Sequence, residues 1–150
     1  MNLKPNRFTI RVYGLLIDNE ALLLSTENIK GKVYTKLPGG GLEFGEGTLD
    51  CLRREFQEEA QIQVEPQEHF YTTEHFVASA FDARTQVMSI YYRVTSAESH
   101  QIKTGDFSQR QSLKKPSDQL LHWKKLAQLT SQDVDLPIDK VVIEKLLQQL

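Results

Sequence analysis

Three consecutive glycines followed by an amphipathic helix constrain the fold of this chain more than any other feature. The run Pro38 to Gly41 breaks regular structure, because successive glycines leave the backbone too permissive to hold one element. From residue 48 to residue 60 the apolar residues return with a helical period, and Thr48 is a suitable N-cap. Such a helix must bury its apolar stripe, so we predict a layered fold in which it covers a sheet.

The segments around this helix predict the strands of that sheet. They are rich in aliphatic, β-branched and aromatic residues, which favour strands. The predicted strands cover residues 8–17, 21–25, 33–37, 61–64, 70–80, 87–95 and 120–125. A polar loop is expected over 26–32, a long irregular stretch over 96–119, and a second amphipathic helix over 138–150. This order of strands and helices predicts an α+β fold with a mixed sheet.

Composition and charge limit the class of protein. The chain has 150 residues, of which 39% are hydrophobic and 25% charged, so we expect a single domain over residues 1–150. A formal net charge of -2 argues against binding to a nucleic acid polymer or to an anionic membrane. No apolar run approaches the roughly 20 residues of a membrane helix, and the first seven residues carry no secretory signal. Because Cys51 is the only cysteine, an internal disulfide is impossible, and we predict a cytoplasmic protein.

Three carboxylates on the first helix carry the chemistry of the sequence. Glu55, Glu58 and Glu59 are spaced so that they project within an arc of about 100°. Their mutual repulsion gives an unaided helix no stability, whereas a divalent cation would turn that repulsion into attraction. Hard oxygen donors suit Mg²⁺ or Mn²⁺, and Mg²⁺ takes further ligands from substrate phosphates. The spacing therefore predicts a metal site that acts on a phosphate ester or anhydride.

These residues resemble a family signature. Residues 40–62, from Gly40 through Glu46 and Arg54 to Ile62, resemble the Nudix box, G-x5-E-x7-R-E-U-x-E-E-x-G-U, where U is a bulky apolar residue. Every fixed position matches except one, where Gln61 replaces the glycine that follows the helix. A non-glycine residue in that left-handed C-cap costs about 1 kcal/mol, so we expect an altered helix exit and an intact acidic cluster. The resemblance implies one Nudix domain of the MutT-like kind, an α/β/α sandwich with a curved mixed sheet between helices.

The resemblance also implies roles for the box residues. Glu58 and Glu59 are expected to bind Mg²⁺, with Mn²⁺ as an alternative, and the carbonyl of Gly39 to complete the coordination. Glu55 is either a third metal ligand or the base that orients the attacking water, and these roles can interchange. Arg54 is expected to pair with a box glutamate. The implied reaction is hydrolysis of a phosphoanhydride, in which water displaces one phosphoryl group while a carboxylate takes its proton.

The substrate is less closely specified than the reaction. The resemblance implies a small nucleotide-type molecule, a nucleoside diphosphate linked to another moiety, and it implies a homodimer because dimers are common in the family. Nudix enzymes that act on nucleoside triphosphates often carry arginines at the end of the second strand, where this chain has Ser25-Thr26-Glu27. The candidate substrate-binding residues are Tyr34 for base stacking, Lys36 for a phosphate clamp and Asp118 as an extra acidic group.

Two functions of other classes compete with the enzyme. One is a non-catalytic, nucleotide-sensing Nudix domain, and the other is a structural or partner-binding domain with a solvent-exposed charged helix. Sensing domains often lose box acids, whereas this chain keeps all of them. Turnover of a nucleotide panel separates the three.

Overall fold

A computed structural model describes residues 4–150 and shows one mixed sheet of seven strands with two α-helices. Residues 1–3 lie outside the described part of the chain. The prediction that the chain has no secretory signal rests partly on them. The strands are β1 (Arg7–Asp18), β2 (Ala21–Ile29), β3 (Lys32–Lys36), β4 (Gly39–Gly41), β5 (Glu65–Thr72), β6 (Thr85–Thr95) and β7 (Gln119–Lys125). The helices are α1 (Thr48–Ala60) and α2 (Pro137–Gln148). The predicted α+β class is confirmed.

Strand β1 runs through the centre of the sheet and places the glycine triplet. The main strand order is β3-β2-β1-β6-β5, and β1 and β6 are parallel while the other pairs are antiparallel. On its other edge β1 pairs with β4 through Val12 and Gly40, and with β2 only at its far end, where Ile17 lies opposite Leu22. Strand β7 pairs with β2. The glycine triplet, predicted to break regular structure, instead forms a short strand against the middle of the sheet, because pairing with β1 holds its backbone extended.

Each helix packs on one face of the sheet. On the α1 face, Leu52 and Phe56 pack with Val12 and Leu16 of β1. The backbone of Gly14 makes room for this packing, since a Cβ there would lie 2.6 Å from the ring of Phe56. On the opposite face α2 packs, and its core residues Val142, Ile143 and Leu146 lie with Leu15, Tyr13 and Tyr91 of the sheet. The two faces give the predicted α/β/α sandwich.

Several predicted element boundaries are wrong. Residues 61–64 do not form a strand, because the chain leaves α1 there and β5 starts only at residue 65. The strand predicted over 70–80 ends at residue 72. In the segment between β5 and β6, Ala78 forms an isolated bridge with Gln86 of β6. The polar loop predicted over 26–32 is mostly strand, because β2 continues to residue 29 between β3 and β7. Pairing on both sides overrides the polar sequence there.

The ends of α1 also differ from the prediction. Gly47 occupies the N-cap, and the hydroxyl of Thr48 instead lies 2.8 Å from the hydroxyl of Tyr92. At the other end Gln61 adopts the left-handed conformation itself, with φ 58°, and its N–H donates to the carbonyl of Gln57 at 3.1 Å. The expected alteration of the helix exit is therefore wrong. Gln61 takes the left-handed conformation that the resemblance implies for a glycine at this position, although a residue with a Cβ is strained there.

Two predicted segments remain, the irregular stretch before β7 and the second helix. The irregular stretch predicted over 96–119 contains two 3-10 turns, Ser99–Gln101 and Phe107–Ser112. Helix α2 begins one residue before the predicted start and ends two before the predicted end. Among residues 4–150, no helix has both the length and the apolar character needed to cross a membrane.

Candidate active site

Arg54 joins the loop after the glycines to helix α1. Its Nε and Nη2 donate to the two carboxylate oxygens of Glu46 at 3.0 and 2.7 Å, a bidentate pair, and Nη2 also donates to the carbonyl of Gly41 at 3.0 Å. Bonding to Arg54, followed by a backbone bond from Glu43, lowers the pKa of Glu46 to about 2. The pairing expected of Arg54 is present, and it fixes the loop against the helix.

The same guanidinium also holds box acids on the helix. Its Nη1 donates to Glu55 at 3.0 Å and to Glu58 at 3.3 Å, and the carboxylate of Glu43 lies 3.7 Å away. Together with Glu46, one positive charge therefore faces four carboxylates. The cluster keeps an excess of negative charge, which is the electrostatic condition that favours binding of a divalent cation.

Glu55 lies directly against the glycine strand. Its carboxyl group would be 2.5 Å from a Cβ at Gly40, so only glycine leaves room for it. The side chain is 13% exposed, and Arg54 fixes its orientation. This carboxylate is thus held between the helix and the backbone of β4.

Glu59 and Gly39 form the inner corner of the site. The N–H of Gly39 donates to Glu59 at 3.1 Å. Gly39 has φ 144°, and a Cβ there would meet the carbonyl oxygen of Val12 at 2.1 Å, so glycine is required for this backbone path. Burial raises the pKa of Glu59 to about 7, with Glu27 adding to the effect and Lys36 opposing it.

Lys36 fills the space next to that corner. Its side chain is only 2% exposed, and its Nζ donates to the carbonyls of Leu37 and Gly39, both at 3.3 Å. The same nitrogen lies 3.9 Å from Glu27 and 4.0 Å from Glu59. The amine therefore faces the box itself, and its role as a phosphate clamp stays a prediction.

The donor types fit a hard divalent cation, but the acids do not converge on one point. Within residues 4–150, no group of three His, Cys, Asp or Glu side chains is arranged to hold a metal ion. Arg54 engages Glu55 and the exposed Glu58, whereas the N–H of Gly39 and the amine of Lys36 engage Glu59. Carboxylate and carbonyl oxygens with excess negative charge remain the donor set that Mg²⁺ or Mn²⁺ prefers. The sequence predicted that Arg54 pairs with a box glutamate, but not that Arg54 and Lys36 engage different acids of the helix.

A cavity of about 460 Å³ opens beside this corner. It lies between β1, β2, β6, the segment 77–81 and the start of α2. Lys36 and Glu27 line it, and the Nζ of Lys36 also lies 4.0 Å from Glu59, so this lysine connects the cavity to the acidic helix. Its volume is within the range of about 300–1,000 Å³ that is usual for small-molecule sites.

Arg11 supplies a positive charge in the cavity. Its Nε donates to the hydroxyl of Tyr13 at 2.6 Å. Burial lowers the pKa of Arg11, but Tyr13, Glu55 and Glu27 raise it by more, so the guanidinium stays charged near the box. No carboxylate of residues 4–150 forms a salt bridge with it at 4.0 Å or less. Its Nη groups are therefore available to an anionic ligand.

Asp139 closes the cavity from the start of α2. It is fully buried and accepts hydrogen bonds from the hydroxyl of Tyr91 and from the N–H of Leu37, the latter at 3.0 Å. Burial raises its pKa. Sequence reasoning missed both Asp139 and Arg11. The available signals were an arginine inside a predicted apolar strand and an acid in the first turn of the last helix.

The other two predicted substrate residues lie apart from the box acids. The ring of Tyr34 packs edge-on against that of Phe81, with centroids 5.1 Å apart, and Phe81 lines the cavity. The carboxylate of Asp118 accepts from the N–H of Lys115 at 3.0 Å, in a turn before β7. Within the described part of the chain, no hydrogen bond of Asp118 reaches α1 or β4.

Comparisons with known proteins agree with this architecture. A model of the NUDIX domain family matches residues 7–144. Among solved structures, the E. coli ORF135 protein is similar with a TM-score of 0.68 at 14% identity, covering 95% of this chain and 90% of that one. A MutT protein from Methanosarcina mazei Go1 has a TM-score of 0.68 at 18% identity, covering 97% and 96%. A protein named UDP-X diphosphatase has a TM-score of 0.59 at 15% identity, covering 98% of this chain and 64% of that chain. No curated protein gives a significant sequence match.

The match to the NUDIX family spans nearly the whole chain, and the fold and the box residues agree with it. The chain belongs to the NUDIX domain family. It is a hydrolase of the kind that acts on phosphoanhydride bonds.

Proposed function

We propose that this chain uses Mg²⁺ to hydrolyse a phosphoanhydride bond in a nucleoside diphosphate linked to another moiety. The observation that carries the proposal is that Lys36 lines a cavity of about 460 Å³ and also lies 4.0 Å from Glu59 of the acidic helix. A nucleoside part in the cavity would bring its phosphates to the box. Members of the family act on nucleotide-type molecules, and one structural neighbour is named a UDP-X diphosphatase.

The box residues have different proposed roles at the metal site. Glu58, Glu59 and the carbonyl of Gly39 are the proposed ligands, with Glu55 as a third carboxylate ligand or as the base. When bound, a divalent cation offsets charge on the diphosphate and promotes loss of a proton from water. Arg54 holds Glu55 at a fixed place beside Gly40, so this carboxylate is oriented to take the proton of the attacking water.

Arg11 is the proposed phosphate-binding residue in the cavity. Its Nη groups form no salt bridge with the described carboxylates, and a guanidinium suits the paired oxygens of a phosphate. Its position on β1 is close enough to Glu55 for that carboxylate to raise its pKa. We expect Arg11 to contribute to substrate affinity, and Tyr34, Lys36 and Asp118 remain further proposed contacts.

The setting of the enzyme follows from composition. A single cysteine and a sequence pI near 6.1 favour a cytoplasmic enzyme of small molecules over a binder of nucleic acid polymers. We propose that residues 1–150 form one catalytic domain, and that the family tendency to dimerise extends to this chain.

The experiment is a substrate panel with metal controls. Nucleoside triphosphates, nucleotide sugars and dinucleotides are incubated with the protein in Mg²⁺, Mn²⁺ or EDTA, and phosphate is assayed with and without added phosphatase. We expect turnover of a nucleoside diphosphate derivative that EDTA abolishes. Replacing Glu58 with Gln should lower kcat about 100-fold or more, because the neutral amide is a poorer ligand or base.

Glu65→Gln is the matched control, since Glu65 is exposed and follows α1 on the start of β5. It should leave kcat unchanged. A panel without any turnover would favour the non-catalytic sensing domain. An intact rate in Glu58→Gln, with the panel substrate still cut, would remove that acid from the mechanism.

A further inference from the structure

Lys36 is a buried lysine that lies against two proposed metal ligands. Its Nζ is 3.3 Å from the carbonyl oxygen of Gly39 and 4.0 Å from a carboxylate oxygen of Glu59. The side chain is 2% exposed, so moving the amine away from these oxygen atoms would break its contacts in a buried environment. Lys32 of the same strand is exposed by contrast, and its amine lies 5.4 Å from the ring centre of Tyr34.

The surroundings keep this amine charged. Burial lowers the pKa of Lys36, but Glu59, Tyr13 and Glu27 raise it by more, and the net effect is a raised pKa. The ring of Tyr13 also lies under the ammonium, with Nζ 5.4 Å from the ring centre. The inner corner therefore already contains a cation that is held by the oxygen atoms a divalent ion would use.

We propose that the Lys36 ammonium competes with the divalent cation for Gly39 and Glu59, and so weakens metal binding at this corner in the absence of substrate. This inference rests on the proposed metal ligands of the box. A divalent ion that binds both oxygens must displace the ammonium or share the corner with it, and two cations so close repel each other. Removing the charge of Lys36 should therefore strengthen metal binding, whereas a residue that merely positioned the ligands would weaken it when removed.

The test is the affinity of the substrate-free full chain for Mn²⁺, measured by electron paramagnetic resonance of the unbound ion. Lys36→Met, which keeps the length of the side chain and removes the charge, should bind Mn²⁺ about 5-fold or more tightly than the wild type. Lys36→Arg keeps the charge and should retain the weaker affinity. Lys32→Met is the matched control, because the same change at an exposed site on β3 should leave the affinity unaltered.

A second measurement covers the case in which Lys36→Met folds less stably. The rise in Tm between EDTA and saturating Mn²⁺ should be larger for Lys36→Met than for the wild type, because tighter binding stabilises the folded state more. Lys36→Gln, which can still donate to the Gly39 carbonyl, should show the same increase. An equal or weaker Mn²⁺ affinity in both uncharged variants would overturn the competition.

The two proposals fail separately. If the wild type cuts a panel substrate but the uncharged variants bind Mn²⁺ no more tightly, competition by Lys36 is wrong and the proposed function stands. If the panel shows no turnover while Lys36→Met binds Mn²⁺ more tightly, the competition stands and the proposed catalytic function fails.

Discussion

Gln61 shows how a single residue can depart from a family pattern while the backbone keeps its path. It has φ 58°, a conformation that favours glycine, and its N–H still closes the last turn of α1 on Gln57. Packing of α1 on the sheet and the start of β5 fix both sides of this residue. The tertiary structure therefore imposes the left-handed conformation and the side chain tolerates it.

Replacing Gln61 with glycine should stabilise the protein. Glycine relieves the left-handed strain of about 1 kcal/mol but adds entropy to the unfolded chain, at a cost of about 0.4–1 kcal/mol, so the expected net gain is about 0.5 kcal/mol at most. Urea unfolding measures it. Gln61→Ala keeps the strain and should give no gain. A glycine variant less stable than the wild type would mean that the glutamine side chain makes a compensating contact.

Arg54 acts through the geometry of its guanidinium and not through its charge alone. It donates to Glu46, Glu55 and Gly41 from different nitrogens at once, which an ammonium at one point cannot reproduce. The residue therefore positions the acids of the box.

We expect Arg54→Lys to lower kcat by about 10- to 100-fold, because residues that orient metal ligands carry effects of that size. Its neighbour Arg53 is half exposed and pairs only with Asp50 and Glu65, at 3.9 Å each, so Arg53→Lys is the matched control and should retain full activity. Steady-state kinetics on the best panel substrate measures kcat for both variants. Equal rates in the two variants would show that charge alone suffices at position 54.

At the scale of elements, strand β7 carries a half-buried histidine. His122 packs under the ring of Phe107, with ring centres 4.5 Å apart, and its Nδ1 has no hydrogen bond partner in the described structure. Burial and, to a lesser extent, Lys124 lower its pKa to about 4, against a smaller opposing effect of Asp133. The folded state therefore favours the neutral form of this ring.

Acid should therefore destabilise the protein through His122. The unfolded chain binds a proton at this residue as the pH falls through 6.5, whereas the folded chain resists protonation until about 4, so stability is lost across that interval. Between pH 8 and pH 5, His122→Leu should lose about 1–2 kcal/mol less free energy of unfolding than the wild type. Urea unfolding at both values tests this. His100→Leu, at an exposed position, should follow the wild type.

Element prediction succeeded where the periodicity was strong and failed where pairing decided. Helix α1 has the bounds that its apolar period indicates, since its stripe packs directly on β1. The polar segment after Ser25 becomes strand only because β3 and β7 flank β2 on both sides. Strand β3 follows directly in the chain, but β7 is remote in sequence, so no local pattern could reveal its pairing with β2.

At the scale of the molecule, Asp139 joins the two sides of the cavity. Its carboxylate bonds to Tyr91 of β6 and to the backbone of Leu37, just before the glycine strand, while the residue itself lies in the first turn of α2. A single buried acid thus links the last helix to the backbone that leads into the box. The cavity depends on this link because α2 forms one of its walls.

Removing this acid should destabilise the whole domain. Asp139→Ala leaves the hydroxyl of Tyr91 and the N–H of Leu37 buried without partners, at about 1–3 kcal/mol each, so we expect a loss of about 2–5 kcal/mol. Tyr91→Phe removes one bond and leaves the acid bonded to Leu37, and should cost less. Urea unfolding compares the two. An alanine variant as stable as the wild type would show that water replaces both bonds.

The sequence by itself determined the residue types of the site and their place on one helix. Glycine spacing, the acids of α1 and the apolar stripe are local patterns, and local geometry is enough to interpret them. Only the tertiary structure decided which cations meet those acids. Lys36, Arg11 and Asp139 come from separate strands and from the last helix, and their charges act through distances that chain folding sets.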